Sequence, residues 1–125
     1  MDIFDNKYLE IKGGELLKGN IKISGAKNSA LVLMAASILS KGQINLSNVP
    51  QISDVLIMSK ILTAIGINIK SNSNQLEINT KEISPPSKDL FFDLFNALRV
   101  SFFCIGPLLA RFGEARVPLP GGCLI

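Results

Sequence analysis

Three stretches of the sequence carry residue types able to do chemistry. In "ISGAKNSAL", Lys27 and Asn28 follow a Gly-Ala turn where an alternating segment gives way to an apolar run. Free backbone N–H groups and the helix dipole at such a start favour an anion, so a phosphate or carboxylate could dock beside the ammonium. The same pair also reads as a solvated lysine and a helix cap, and the glycine spacing is not that of a Walker A loop. In "LPGGC", Cys123 sits behind two glycines on a loop able to carry a thiol, as acid or nucleophile, to a ligand and away again. Cys104, between Phe103 and Ile105, reads instead as ordinary apolar core. Arg99 lies among Phe95, Ala97, Leu98, Val100, Phe102 and Phe103. An unpaired guanidinium is costly there, so it either meets an anionic partner or reaches solvent past its neighbours. Arg111 is assigned to the surface and to the negative end of its helix.

Composition narrows the chemistry. With no histidine, His-ligated zinc sites and Ser-His or Cys-His relays are excluded, and two cysteines are too few for a disulfide scaffold. Acid–base work is left to Cys, Lys, Asp, Glu or Tyr. The 125 residues make one modest domain or a piece of one, and 47% hydrophobic against 18% charged residues describes a globular chain or one lacking its packing partner. Thirteen Lys and Arg against ten Asp and Glu are scattered, which gives no support to nucleic-acid binding. The N-terminus lacks the apolar core of a signal peptide, and Asp93, Arg99 and Pro107 interrupt the long apolar stretch Leu90 to Ala110, so no membrane association is expected. These features read as a soluble, cytoplasmic protein.

The elements that must position these residues follow from periodicity. "NIKIS" alternates like a strand, "GAKNSALVLMAASILS" reads as a buried helix ending near Lys41-Gly42, and "QINLSNV" alternates again before Pro50. "SDVLIMSKILTAIG" puts Val55, Met58, Leu62 and Ile65 on one helical face, with Ser53 as N-cap and Gly66 as stop. "INIK" and "QLEIN" flank the hairpin punctuation "SNSN". Residues 20–79 therefore read as β-α-β-α-β-β. After the connector "ISPPS", "LFFDLFNALRVSFFCIGPLLARFG" reads as a long helix, straight or kinked at Pro107, and "ARVPL" returns to strand.

Taken in order, "GAKNSAL", "NVPQISDV", "ALRVS", "GPLLARFG" and "LPGGC" resemble the enolpyruvyl transferases, and among them those acting on UDP-N-acetylglucosamine; the match runs from about Leu9 to Ile125. The related 5-enolpyruvylshikimate-3-phosphate synthases share the fold but carry a Lys-Ser pair and lack the cysteine loop, so Lys27-Asn28 and Cys123 weigh against that branch. The resemblance implies an α+β fold of βαβαββ units in two lobes with substrates between them, incomplete here. Residues 1–23 would be strands of the other lobe and residues 24–125 an incomplete catalytic lobe.

The reaction implied moves the enolpyruvyl group of phosphoenolpyruvate onto the 3-hydroxyl of UDP-N-acetylglucosamine, releasing phosphate, with no metal or organic cofactor. Lys27 and Asn28 match the pair that holds phosphoenolpyruvate, and Arg99 matches an arginine contributing to nucleotide-sugar binding. Cys123 matches the loop cysteine that protonates the methylene carbon of phosphoenolpyruvate, the thiol that fosfomycin alkylates. Val32 replaces a common proline and "ALRVS" the usual Met-Arg-Ala-Ser, and both swaps leave the arginine in place. The remaining substrate contacts are expected from a missing C-terminal part of the same enzyme, and the 125-residue chain alone is expected to be inactive. The alternative is a non-catalytic truncated product that only associates with another polypeptide.

Overall fold

A computed structural model describes residues 9–84 and 99–117, with the side chains of residues 99–101 excepted. The sheet is built first from short alternating segments. Strands β1 (Gln43–Leu46), β2 (Asn68–Asn72) and β3 (Gln75–Asn79) form one sheet in the order β1-β3-β2, with both pairings antiparallel. β1 and β2 therefore run parallel on either side of β3. The register lines up Ile44, Ile78 and Ile69 across the three strands. That row faces the core, while Gln43, Asn45, Lys70 and Glu77 alternate onto the polar face. The hairpin turn is Ser73-Asn74, with Ser71 and Asn72 still in β2, and Ser73 takes a left-handed φ of 49°.

Two helices cover the sheet's apolar face. Helix α1 (Lys27–Ala36) buries Ala30, Leu31, Met34 and Ala35 and continues as a 3₁₀ turn, Ser37–Leu39. Helix α2 (Ser53–Ala64) buries Val55, Met58, Ile61 and Leu62, packs on α1, and carries the chain from β1 across to β2. The expected apolar face of α2 is found, since Val55, Met58, Leu62 and Ile65 are all buried. Its stop is also as read. Gly66 has φ 87°, the Ile67 N–H reaches the Leu62 carbonyl at 3.1 Å, and the Gly66 N–H reaches that of Thr63 at 2.9 Å. This pair of bonds is a Schellman closure, which needs a residue free of Cβ penalty.

Several expectations are corrected. No strand forms over residues 9–26, so "NIKIS" is extended chain without a ladder, and Leu9, Ile11, Leu16, Leu17, Ile21 and Ile23 are exposed. Alternation can nominate a strand, but its hydrogen bonds need a partner, and none is present among the described residues. "ARVPL" forms no strand over residues 115–117, and residues 118 and 119 lie outside the described region. The described order is thus α-β-α-β-β, then helix, without the leading strand. Ser53 does not cap α2; it is the first helical residue, and Ile52 holds the cap position with no side-chain bond. Residues 90–98 of the long helix also lie outside the described region. Beyond them a 3₁₀ turn, Arg99–Cys104, leads into α3 (Ile105–Phe112). Pro107 is the third residue of α3, where the 3₁₀ turn has just passed into α-helix, a first-turn position at which proline is tolerated.

Arg111 is the largest correction. Its guanidinium turns inward from α3: Nη1 donates to the carbonyls of Ile38, at 3.0 Å, and Ser40, and Nη2 donates to that of Thr80 at 3.0 Å. Thr80 is fully buried, and its hydroxyl lies 2.9 Å from Ser40 O and 3.0 Å from Gly42 O while accepting the Gly42 N–H at 3.2 Å. Removing the fork strands partly buried carbonyls, which costs about 1–3 kcal/mol per unsatisfied group. Arg111→Met, which keeps much of the hydrocarbon, should therefore lower unfolding free energy by at least about 2 kcal/mol, read from the denaturant midpoint. Gly66→Ala should cost about 1–2 kcal/mol in the same measurement, because the alanine must keep a left-handed conformation. An unchanged midpoint in either variant would contradict the corresponding contact.

Candidate active site

The segment leading into α1 is held by a close backbone approach. A Cβ placed on Gly25 would collide with the Asn48 carbonyl oxygen, so only glycine fits there. Asn48 itself has a left-handed φ of 55°, and the next residue is tied to the hairpin through Val49 N–H to Asn74 O at 2.8 Å. The β1–α2 loop thus acts as a floor under the Gly-Ala turn. A small cavity of about 300 Å³ lies between them, lined by Gly25, Ser29, Leu33, Asn45 and Asn48 among others.

Lys27 is the first residue of α1 and Asn28 the second, so Asn28 does not cap the helix; Ala26 holds that position without a side-chain bond. Both side chains are exposed. The first turn of α1 contains no acid, and its leading N–H groups have no side-chain acceptor at the cap. That leaves the local field positive. The Lys27 ammonium is not solitary: Nζ lies 2.8 Å from Oδ2 of Asp54, the second residue of α2. Asp54 escapes a reading of the sequence. An acid in the first turn of a helix is its available signal, and the partner 27 positions earlier appears only when the two helix starts come together.

The other sequence candidates divide sharply. Arg99 opens the 3₁₀ turn that packs against α1 and α2, and its side chain is outside the described region. Cys123 lies among residues 118–125, also outside it. The structure therefore brings together Lys27, Asn28 and Asp54, and neither joins Arg99 and Cys123 to them nor separates them. Cys104 is buried as read, and burial pushes its thiol up to about 12, which keeps it protonated and unreactive at neutral pH. Arg111 is committed to backbone carbonyls.

No three His, Cys, Asp or Glu side chains gather as a metal site among the described residues. A groove of about 920 Å³ runs along α2 and β2 past Ile52, Leu56, Thr63 and Ile69, with Lys60 its one charged lining residue among those described. It includes neither Lys27 nor Asn28.

Residues 11–125 match the family described as EPSP synthase (3-phosphoshikimate 1-carboxyvinyltransferase). The UDP-N-acetylglucosamine 1-carboxyvinyltransferase 2 of Prochlorococcus marinus strain SARG is 56% identical over 117 residues, covering 94% of this chain and 27% of that protein. The UDP-N-acetylglucosamine 1-carboxyvinyltransferase of strain MIT 9301 is 54% identical over 120 residues, covering 96% of this chain and 26% of that protein. The crystal structure of the enolpyruvyl transferase NikO from Streptomyces tendae superposes with TM-score 0.66 at 22% identity, over 81% of this chain and 23% of that one, a likeness of fold. The chain spans about a quarter of the length of the relatives it matches. With nearly its whole length inside the family match and its fold shared with an enolpyruvyl transferase, the chain belongs to the EPSP synthase family of carboxyvinyltransferases.

Proposed function

We propose that the chain supplies the N-terminal part of a UDP-N-acetylglucosamine 1-carboxyvinyltransferase, a cytoplasmic enzyme of peptidoglycan synthesis. The observation that carries this reading is the identity of half or more, over nearly the whole chain, to relatives bearing that name. The substrates are phosphoenolpyruvate and UDP-N-acetylglucosamine. In the addition step the sugar 3-hydroxyl oxygen bonds to C2 of phosphoenolpyruvate and passes its proton to a base from the further sequence of the enzyme, while the Cys123 thiol protonates the methylene carbon and is left as thiolate. In the elimination step that methyl returns a proton to the Cys123 thiolate, the double bond reforms, and the C2–O bond to phosphate breaks as phosphate leaves.

Lys27 and Asn28 bind phosphoenolpyruvate: the ammonium offsets its charge and the amide hydrogen-bonds it as the tetrahedral centre forms. Arg99 contributes to holding the nucleotide sugar. Residues up to Ile23 belong with a second lobe, and the remaining contacts come from further sequence of the same enzyme. The Gly-Gly pair before Cys123 lets its loop close and withdraw, and fosfomycin would alkylate that thiol. No described helix is long and apolar enough to cross a membrane.

Phosphate release from both substrates tests this reading. The chain alone should not turn over, and the chain co-expressed with the remainder of a homologous transferase should. In that complex Cys123→Ala should lower turnover about 10²- to 10⁴-fold, the range of a general acid. Full activity in Cys123→Ala would overturn the assignment. Because burial holds the Cys104 thiol up to about 12, brief native alkylation at about pH 7 to 9 should modify Cys123 and spare Cys104. Peptide mapping that finds the adduct on Cys104 would reverse the two roles.

A further inference from the structure

We infer that Asp54 is a positioning residue for the Lys27 ammonium, an inference that rests on the reading of Lys27 as a phosphoenolpyruvate ligand. The two side chains come from separate elements, the first residue of α1 and the second of α2, and meet at 2.8 Å. Their environments differ. Lys27 is 51% exposed on a flexible four-carbon stem, whereas Asp54 is 23% exposed on a short stem in the first turn of a helix whose next residue, Val55, is core. The rigid partner therefore fixes the mobile one.

The geometry leaves the ammonium available. Contact with Asp54 is through one carboxylate oxygen, and an ammonium has three donors. Asp54 also sits where the α2 dipole favours a negative charge, so it stays in place as the anchor, and no second salt-bridge partner of the ammonium occurs among the described residues. An untethered lysine at this position would sample many rotamers, and an anion would have to order it on binding. Asp54 supplies that order beforehand. It touches no reacting atom; its effect passes through Lys27.

A double-mutant cycle tests this in the complex of the full chain with the co-expressed remainder of a homologous transferase, with phosphoenolpyruvate binding read by ligand-observed phosphorus NMR. Asp54→Asn should weaken phosphoenolpyruvate about three- to fivefold, the scale of a partly exposed ion pair, with unchanged thermal midpoint. In a Lys27→Met background the same substitution should change affinity less than about 1.5-fold, because the group it positions is gone. Equal weakening in both backgrounds, or no weakening in the parent, overturns the role of Asp54. Affinity indifferent to Lys27→Met, or no binding by the parent complex, overturns the reading of Lys27 itself and the inference with it.

Discussion

The Arg111 guanidinium is the interaction on which the packing depends most. One planar fork joins the end of the α1 segment, through Ile38 and Ser40, to the residue just past β3, Thr80, and anchors α3 to both. Each of those carbonyls lies where regular structure stops and no ladder or helical N–H is available. Backbone acceptors left without partners as they leave water are expensive, and a side chain with five donors in fixed geometry meets several at once. Lysine, with its three donors on one atom, lacks the spread that lets separate guanidinium nitrogens reach carbonyls on different segments. The Thr80 hydroxyl completes the arrangement by bonding to the same loop, so the chain from Ser40 to Gly42 is held from two sides.

With its far end clamped in this way, α1 has limited freedom to slide, and its near end is fixed by different means. Gly25 rests on the Asn48 carbonyl, and Asn48 is followed by a bond into the Ser73-Asn74 hairpin. Gln51 reaches the same hairpin, donating to Ser73 O at 2.8 Å. The start of α1 thus depends on the β1–α2 loop, the loop on the hairpin, and the hairpin on the sheet. Lys27 sits at the end of that sequence of contacts. A side chain on a helix start supported by a sheet turn is placed more reproducibly than one on a free loop, which suits the role proposed for Lys27.

What can be read from residues alone divides along the range of the interactions involved. The α2 face, the Gly66 stop and the hairpin are legible because each is decided within a few residues by periodicity or by backbone conformation. The two helix starts differ from expectation by one or two residues, since serine and asparagine favour caps but nothing local compels them to take that position. Arg111 is illegible because its partners are 31 to 73 positions away and are carbonyls, which every residue has. "NIKIS" misleads for a related reason: alternation is local, and a ladder is not. At the site, Lys27 and Asn28 stand out through the Gly-Ala turn and the family resemblance, whereas Asp54 carries no motif of its own.

The electrostatics of Lys27 also bear on how much of an enzyme one quarter of the length can be. Two unit charges about 4 Å apart interact by about 1 kcal/mol in bulk water and about 4 kcal/mol at an effective dielectric of about 20. With Lys27 half-exposed, an anion beside it is closer to the first case. Stabilising a developing charge requires donors that are preorganised and shielded from water. In the proposed site the preorganisation comes from the Gly25 approach, the Asp54 ion pair and the helix start. On the proposed reading the shielding is supplied by the remainder of the enzyme, and Cys123 acts once the ligand is covered. Such a division is physically sensible, because a rigid base that fixes orientation can stay wet until substrate arrives, and exclusion of water matters only when there is chemistry to perform.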